Sequence, residues 1–261
     1  MAKLSFAFLG ATKQSKELLL FLIKKNFIPK LIMSIPEKFN ISYSDKKVKN
    51  MNYANLNEIA DKYNIDLVEI DSVDGKKLID YKKTIKKLDL DLILVMGWYY
   101  LIPKSIRKLA KKGAWGFHSS LLPKYAGGAP LTWAIINDEK ETGVTFFRFK
   151  DGIDNGDIIS QKSFKIEYED TIKEVLKKST IASKEILSEV FENIENVNFI
   201  PQKKGKIKIY PQRKPEDGEI DLKKTASEIY NFIRAQSSPY PGAFIKTADG
   251  KKIIIEKAKK K

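Results

Sequence analysis

Short apolar runs alternate with amphipathic stretches of helical length through the first part of the chain. Residues 4–9, Leu-Ser-Phe-Ala-Phe-Leu, form an apolar run that stops at Gly10, and an apolar-rich stretch follows at 15–25. Strand, tight turn and helix are predicted there. A second strand is predicted at 30–34, and Asn55-Leu-Asn-Glu58 has capping-box spacing ahead of Ile59 and Ala60, where a helix should start. Apolar runs at 67–70 and 92–96, separated by a helical stretch at 76–88, repeat the alternation. Strands of Leu and β-branched residues spaced by helices imply a parallel sheet covered on both faces. The expected fold is an open, mostly parallel, Rossmann-like α/β sheet with helices on both faces, followed by a small C-terminal β-containing subdomain.

Residues 35–52 are polar and aperiodic and read as a long mobile loop. Thr171-Ile-Lys-Glu174 is a second capping box, opening a helical region that runs to about Asn193 with a break. After Asn198 the character changes. Stretches 207–210 and 253–255 read as strands, and Asp249-Gly250 between 244–246 and 251–255 is a hairpin signal. The domain division expected is 1–200 for the main unit and 205–261 for a small, partly barrel-like subdomain, with a frayed Lys-rich end at 257–261.

Composition narrows the chemistry. The 261 residues include no cysteine and one histidine, so disulfides, thiolate nucleophiles and multi-histidine metal sites within one chain are excluded. The longest apolar stretch, 18–23, is far short of the ~20 residues that span a bilayer. Lys13, Lys16 and Glu17 stand where a signal-peptide cleavage site would lie, so a cytoplasmic protein without a membrane partner is expected. The net charge of +15 comes mostly from scattered Lys, with Arg only at 107, 148, 213 and 234. That distribution favours a solvated surface over a nucleic-acid patch, although a diffuse positive field attracts polyanionic substrates. The loop Gly10-Ala-Thr-Lys-Gln-Ser15 has neither the G-x-G-x-x-G nor the G-x-x-x-x-G-K-[ST] spacing, so no dinucleotide or P-loop phosphate site is supported.

The densest chemical signal lies in 113–157. Residues 114–117 are a short apolar strand that places His118 at its carboxyl end, where open α/β sheets bind ligands. Ser-Ser-Leu-Leu-Pro123 and Gly127-Gly-Ala-Pro130 predict an ordered turn and then a helix start, and 144–149 predicts the next strand, ending before a loop that presents Asp154. A His beside a carboxylate is the minimum arrangement for moving a proton at neutral pH. A structural His and a turn-forming Asp are the alternative reading of the same two residues.

This stretch resembles the signature of the folate-dependent formyltransferases, the methionyl-tRNA and sugar-nucleotide branch. The shared features are His118, Ser120-Leu-Leu-Pro123, Gly127 with Pro130, Thr142-Gly-Val-Thr145 and Asp154-Asn-Gly156, in order, with 36 residues from His118 to Asp154. The resemblance implies a catalytic domain over 1–200 and transfer of a formyl group from 10-formyltetrahydrofolate, the donor, to a primary amine without a metal. It also implies a pterin slot at Tyr99, Tyr100, Leu101 and Ile102, faced by the backbone of Gly152, Ile153 and Asp154. Residues 233–244, after 215–221, look like the start of the C-terminal subdomain of that branch. Only 56 residues follow Gly205, short for the complete barrel of the tRNA enzymes. The expected acceptor is therefore an amino-sugar nucleotide, with methionyl-tRNA as the alternative; members of this group often form homodimers.

One position departs from the pattern. The family's catalytic Asn stands two residues before the His, and here that position is Gly116. Such an amide holds developing oxyanion charge, and losing one donor costs ~3 kcal/mol. Asn155, Ser119 or a backbone N–H are the candidate replacements. The further alternative is a folate-binding or nucleic-acid-binding homologue with weakened or lost catalysis.

Overall fold

The computed structural model describes residues 4–42, 44–73, 76–203, 205 and 207–260. Residues 1–3 ahead of the first apolar run, Tyr43 of the predicted loop and Lys261 of the tail lie outside the described residues. In chain order the elements are β1 (Phe6–Leu9), α1 (Lys13–Lys24), β2 (Leu31–Ser34), β3 (Lys38–Ile41), β4 (Ser44–Lys49), α2 (Asn57–Tyr63) and β5 (Asp66–Glu69). A 3-10 turn (Lys76–Tyr81) leads into α3 (Lys82–Lys87), then β6 (Leu92–Val95), α4 (Lys104–Arg107), β7 (Ala114–His118), β8 (Ala126–Gly127) and α5 (Pro130–Ile136). The remainder is β9 (Glu141–Arg148), β10 (Ile158–Lys165), α6 (Ile172–Glu192), β11 (Ile209–Tyr210), α7 (Ala226–Gln236), β12 (Ala243–Lys246) and β13 (Lys252–Ile255).

Seven strands form one sheet in the order β10-β9-β7-β6-β1-β2-β5. The five from β7 to β5 are parallel; β9 and β10 are antiparallel additions. Alternation along β1 explains the two-sided burial. Phe6 and Phe8 enter one core with Leu18, Leu19 and Leu22 of α1 and Ile186 and Leu187 of α6. Ala7 and Leu9 enter the other, with Ile85 of α3 and Ile106 of α4. Each of those large side chains contributes ~1.5–3 kcal/mol on leaving water. The mostly parallel sheet, its helices and the small β12–β13 hairpin match the fold class expected from sequence.

Three expectations are corrected. Residues 35–52 are not a mobile loop: they contain the β3–β4 hairpin, in which Phe39 and Ile41 are buried and Phe39 packs on Tyr99 and Tyr100. The capping box expected at Asn55–Glu58 does not form; Leu56 is the N-cap, and the Asn55 side chain accepts from the N–H of Asn57 instead. Helix α6 is continuous from Ile172 to Glu192, opened by the Thr171–Glu174 capping box that the sequence predicts. No helix among the described residues is long and apolar enough to cross a membrane.

The C-terminal segment is tied to the middle of the chain. β11 pairs in parallel with β8, Tyr210 stacks on Tyr125 at 4.7 Å, and Ala235 of α7 packs against Leu131, Ala134 and Ile135 of α5. The segments that follow His118 are thus braced by the C-terminal part of the chain.

Candidate active site

His118 closes β7, whose Ala114 and Trp115 are buried in the sheet. The turn beyond it is set by side-chain hydrogen bonds. The Thr145 hydroxyl donates to the Ser120 carbonyl at 2.6 Å and accepts from the N–H of Leu122 and from Gln161 Nε2. The Ser120 hydroxyl donates to the Lys124 carbonyl at 2.6 Å. Tyr125 then adopts φ 56° and turns its carbonyl to within 2.8 Å of His118 Nε2. A carbonyl oxygen only accepts, so Nε2 carries a proton.

Asp154 arrives by a route that the sequence pattern does not reveal. β9 runs antiparallel to β7, with His118 opposite Thr145 and Trp115 opposite Arg148, so the loop after β9 leaves beside the amino end of β7. Residues 149–157 then fold back over the sheet. Gly156 lies so close to Arg148 that a Cβ there would stand 1.6 Å from the Arg148 carbonyl oxygen. Gln202 Nε2 donates to the carbonyls of Asp154 and Gly156, at 2.7 and 2.8 Å. At the far end Asp157 takes Arg148 and Lys150, and the hydrogen bond from Lys150 holds its carboxyl below the ordinary value despite burial.

The result is a paired imidazole and carboxylate. His118 Nδ1 lies 3.4 Å from Asp154 Oδ2, with side-chain exposures of 9% and 19%. Oδ2 also accepts the N–H of Gly127 at 2.9 Å. Since Nε2 is already protonated, attraction at Nδ1 requires one further proton, carried by the ring or by the carboxyl. No hydrogen bond reaches Asp154 Oδ1 among the described residues, so that oxygen is the acceptor the pair leaves open.

Gly116 has a steric explanation. A Cβ there would meet the Val95 carbonyl oxygen at 2.3 Å and the Phe149 ring at 2.6 Å. The Phe149 ring therefore stands where a side chain at 116 would project. Of the replacements considered from sequence, the Asn155 amide donates to the Asp151 carbonyl at 2.8 Å, and the Ser119 hydroxyl faces Ser179 at 3.5 Å.

The four residues of the loop after β6 divide. Tyr100 and Ile102 are buried in the core, Tyr100 donating to the Asn40 carbonyl and accepting from the N–H of Ser72. Tyr99 donates to Asn50 Oδ1 at 2.8 Å. Leu101 is 75% exposed. Across from this loop, Ile153 is 50% exposed and Gly152 takes φ 103°. Arg107 links the two loops: it donates to the Ile102 carbonyl at 3.1 Å and the Phe149 carbonyl at 3.0 Å, and pairs with Asp151. Arg107, Gln202 and Gln161 escape the sequence reading, and Thr145 enters it as part of a motif without its role in the turn. Each of the three donates to backbone carbonyls, which leave no spacing pattern. No group of three or more His, Asp or Glu suited to a metal occurs among the described residues.

Comparison with known proteins identifies the scaffold. The sequence model described as "Formyl transferase" matches residues 40–191, and that of the formyl transferase C-terminal domain matches 213–261. The bifunctional polymyxin resistance protein ArnA of Wigglesworthia glossinidia brevipalpis is 42% identical over 190 residues, 72% of this chain and 28% of that protein. The chain thus spans under a third of that relative's length. Among solved structures, a likely sugar N-formyltransferase from Mycobacterium tuberculosis, Rv3404c, has a TM-score of 0.73 at 17% identity, covering 97% of this chain and 96% of that one. An N-formyltransferase from Helicobacter canadensis, in complex with folinic acid and dTDP-3-aminofucose, has a TM-score of 0.66 at 21% identity over 89% and 80% of the two chains. Methionyl-tRNA formyltransferase from Clostridium thermocellum has a TM-score of 0.64 at 21% identity over 97% and 99%. The chain belongs to the formyl transferase family.

Proposed function

We propose that this formyl transferase moves a formyl group from 10-formyltetrahydrofolate to the primary amine of an amino-sugar nucleotide. The observation that carries the chemistry is the His118–Asp154 pair, with Asp154 Oδ1 open beside it. The acceptor class is supported by the sugar-nucleotide complex of the Helicobacter relative and by the likely sugar specificity of the mycobacterial one. Methionyl-tRNA is the second reading, favoured by the +15 charge and by the Clostridium neighbour.

The residues present fit the donor. Leu101 and Ile153 are exposed apolar side chains on two loops that Arg107 joins, and a flat heterocycle laid between those loops covers both while its edge meets backbone groups of Tyr99–102 and Gly152–154. When bound, the donor supplies an activated formyl carbon, which forms a bond to the acceptor nitrogen as its bond to the folate nitrogen breaks. Asp154 Oδ1 would take the proton that the attacking amine loses and pass it on to the folate nitrogen that departs, leaving the carboxylate as it began. His118, held by the Tyr125 carbonyl, fixes the carboxylate and, as imidazolium, offsets the negative charge that develops beside it. Phe149, in the place of a side chain at 116, gives this wall an aromatic face where relatives of the resembling family carry an amide.

The test is to incubate the enzyme with 10-formyltetrahydrofolate and a panel of amino-sugar nucleotides and charged methionyl-tRNA, following release of tetrahydrofolate. Release dependent on an amino-sugar nucleotide is expected. Release with methionyl-tRNA alone overturns the acceptor class, and no release with any amine overturns the activity.

A further inference from the structure

A cavity of about 500 Å³ opens beside the catalytic pair without including either residue. Its volume is that of a pocket for a small organic ligand, on the order of 300–1,000 Å³. Lys46, Lys47 and Lys49 of the β3–β4 hairpin line one side, and Arg213 and Lys214, beyond β11, line another. Against these five basic residues the lining has one acidic residue, Glu216. Lys47 and Lys49 have carboxylate partners, Asp71 and Glu37.

Arg213 has none among the described residues. Its guanidinium donates to the Gln236 side-chain oxygen at 2.8 Å and to the Asp217 carbonyl, both uncharged, and lies over the rings of Trp133 and Phe232 at 4.9 and 5.4 Å. Its Nε is buried with no acceptor. Burial pushes this guanidinium below its ordinary value, the charge of Asp217 opposing the shift. A rigid guanidinium with unmet donors in a cationic cavity is a receptor for an oxyanion, because the planar fork matches carboxylate and phosphate oxygens.

Position selects which anion. Ala129 lines the cavity, two residues beyond Gly127, whose N–H is bonded to Asp154. Two residues of chain span at most ~7 Å, about the reach of one sugar ring. We propose that the cavity receives the phosphate groups of the acceptor, anchored on Arg213 with Lys46 at the hairpin edge, so that the sugar amine points to Asp154. This rests on the nucleotide-sugar reading. The donor's carboxylate tail is the other source of the same oxyanion chemistry, since Tyr99 belongs both to the cavity lining and to the loop assigned to the pterin.

Equilibrium binding of UDP, of dTDP and of 5-formyltetrahydrofolate, measured on wild type, Arg213→Gln and Lys46→Gln, separates these cases. Arg213→Gln should weaken nucleoside diphosphate binding by about tenfold or more and Lys46→Gln by about threefold, with folate affinity unchanged within about twofold. Lys46 is an exposed hairpin residue, so its variant keeps the test decisive if Arg213→Gln fails to fold. The proposal is overturned if wild type binds neither diphosphate, if both variants bind as wild type does, or if the variants lose folate instead. Should the diphosphates bind as expected while no amino-sugar nucleotide accepts a formyl group, the cavity assignment stands and the acceptor reading falls.

Discussion

Both ring nitrogens of His118 face oxygens, Tyr125 O at 2.8 Å and Asp154 Oδ2 at 3.4 Å, so the ring meets a substrate through Asp154 and not directly. Asp154→Asn removes the basic oxygen that the pair leaves open among the described residues and should lower kcat by roughly 10²–10⁴-fold with the thermal midpoint little changed. His118→Asn should lower kcat in the same range; wild-type turnover in a folded His118→Asn protein would contradict the assignment. Gly116→Asn is the instructive case. From sequence alone, a gain in activity on restoring the amide would mark an active but imperfect site, yet the Val95 carbonyl and the Phe149 ring occupy its path. Overpacking there should cost roughly 1–3 kcal/mol in denaturant unfolding, and Phe149→Ala in the same chain should recover part of it. His118 and Asp154 were legible because a side-chain motif marks them. The Tyr125 carbonyl, the Gly127 N–H and the grip of Gln202 on two carbonyls were not, because backbone partners leave no residue signature.

At the level of elements, the loop 149–157 matters most. Its anchor is Asp157, held below its ordinary value of 3.8 chiefly by the hydrogen bond from Lys150, burial opposing and Arg148 assisting. A carboxyl that is lower in the folded chain than in the unfolded one stabilises fully above the unfolded value, and that contribution disappears as pH falls through the lowered folded value. Asp157→Asn should therefore cost roughly 1–3 kcal/mol at pH 7. The gap to wild type should close as urea midpoints are taken from pH 7 to below pH 3.8; a gap independent of pH would contradict the ionic anchor. Parallel strands read well because they are continuous apolar runs. The β3–β4 hairpin did not, since Phe39, Ile41 and Val48 are its few apolar positions among Lys, Asn and Ser. The edge strand β10 has partly exposed residues along its length, which blurs the alternation. Helix α7 had a signal that went unread: Thr225 and Glu228 form its capping box.

Over the whole molecule, the sheet brings together segments far apart in sequence, and the cationic cavity joins the early hairpin to the stretch after β11. That juxtaposition was invisible in sequence, where the +15 charge looks merely scattered. It also separates the two acceptors by salt. A nucleotide sugar presents two phosphates, so its KM should rise by less than about tenfold between 50 and 200 mM salt, whereas tRNA binding through many phosphates should weaken by roughly 10³-fold. The most direct measurement is the mass of an amino-sugar nucleotide after incubation with enzyme and 10-formyltetrahydrofolate, for wild type and Asp154→Asn. A gain of one formyl group on the sugar amine, dependent on the carboxylate of Asp154, is the expected result. An unmodified sugar with wild type, or equal formylation by both proteins, would contradict it.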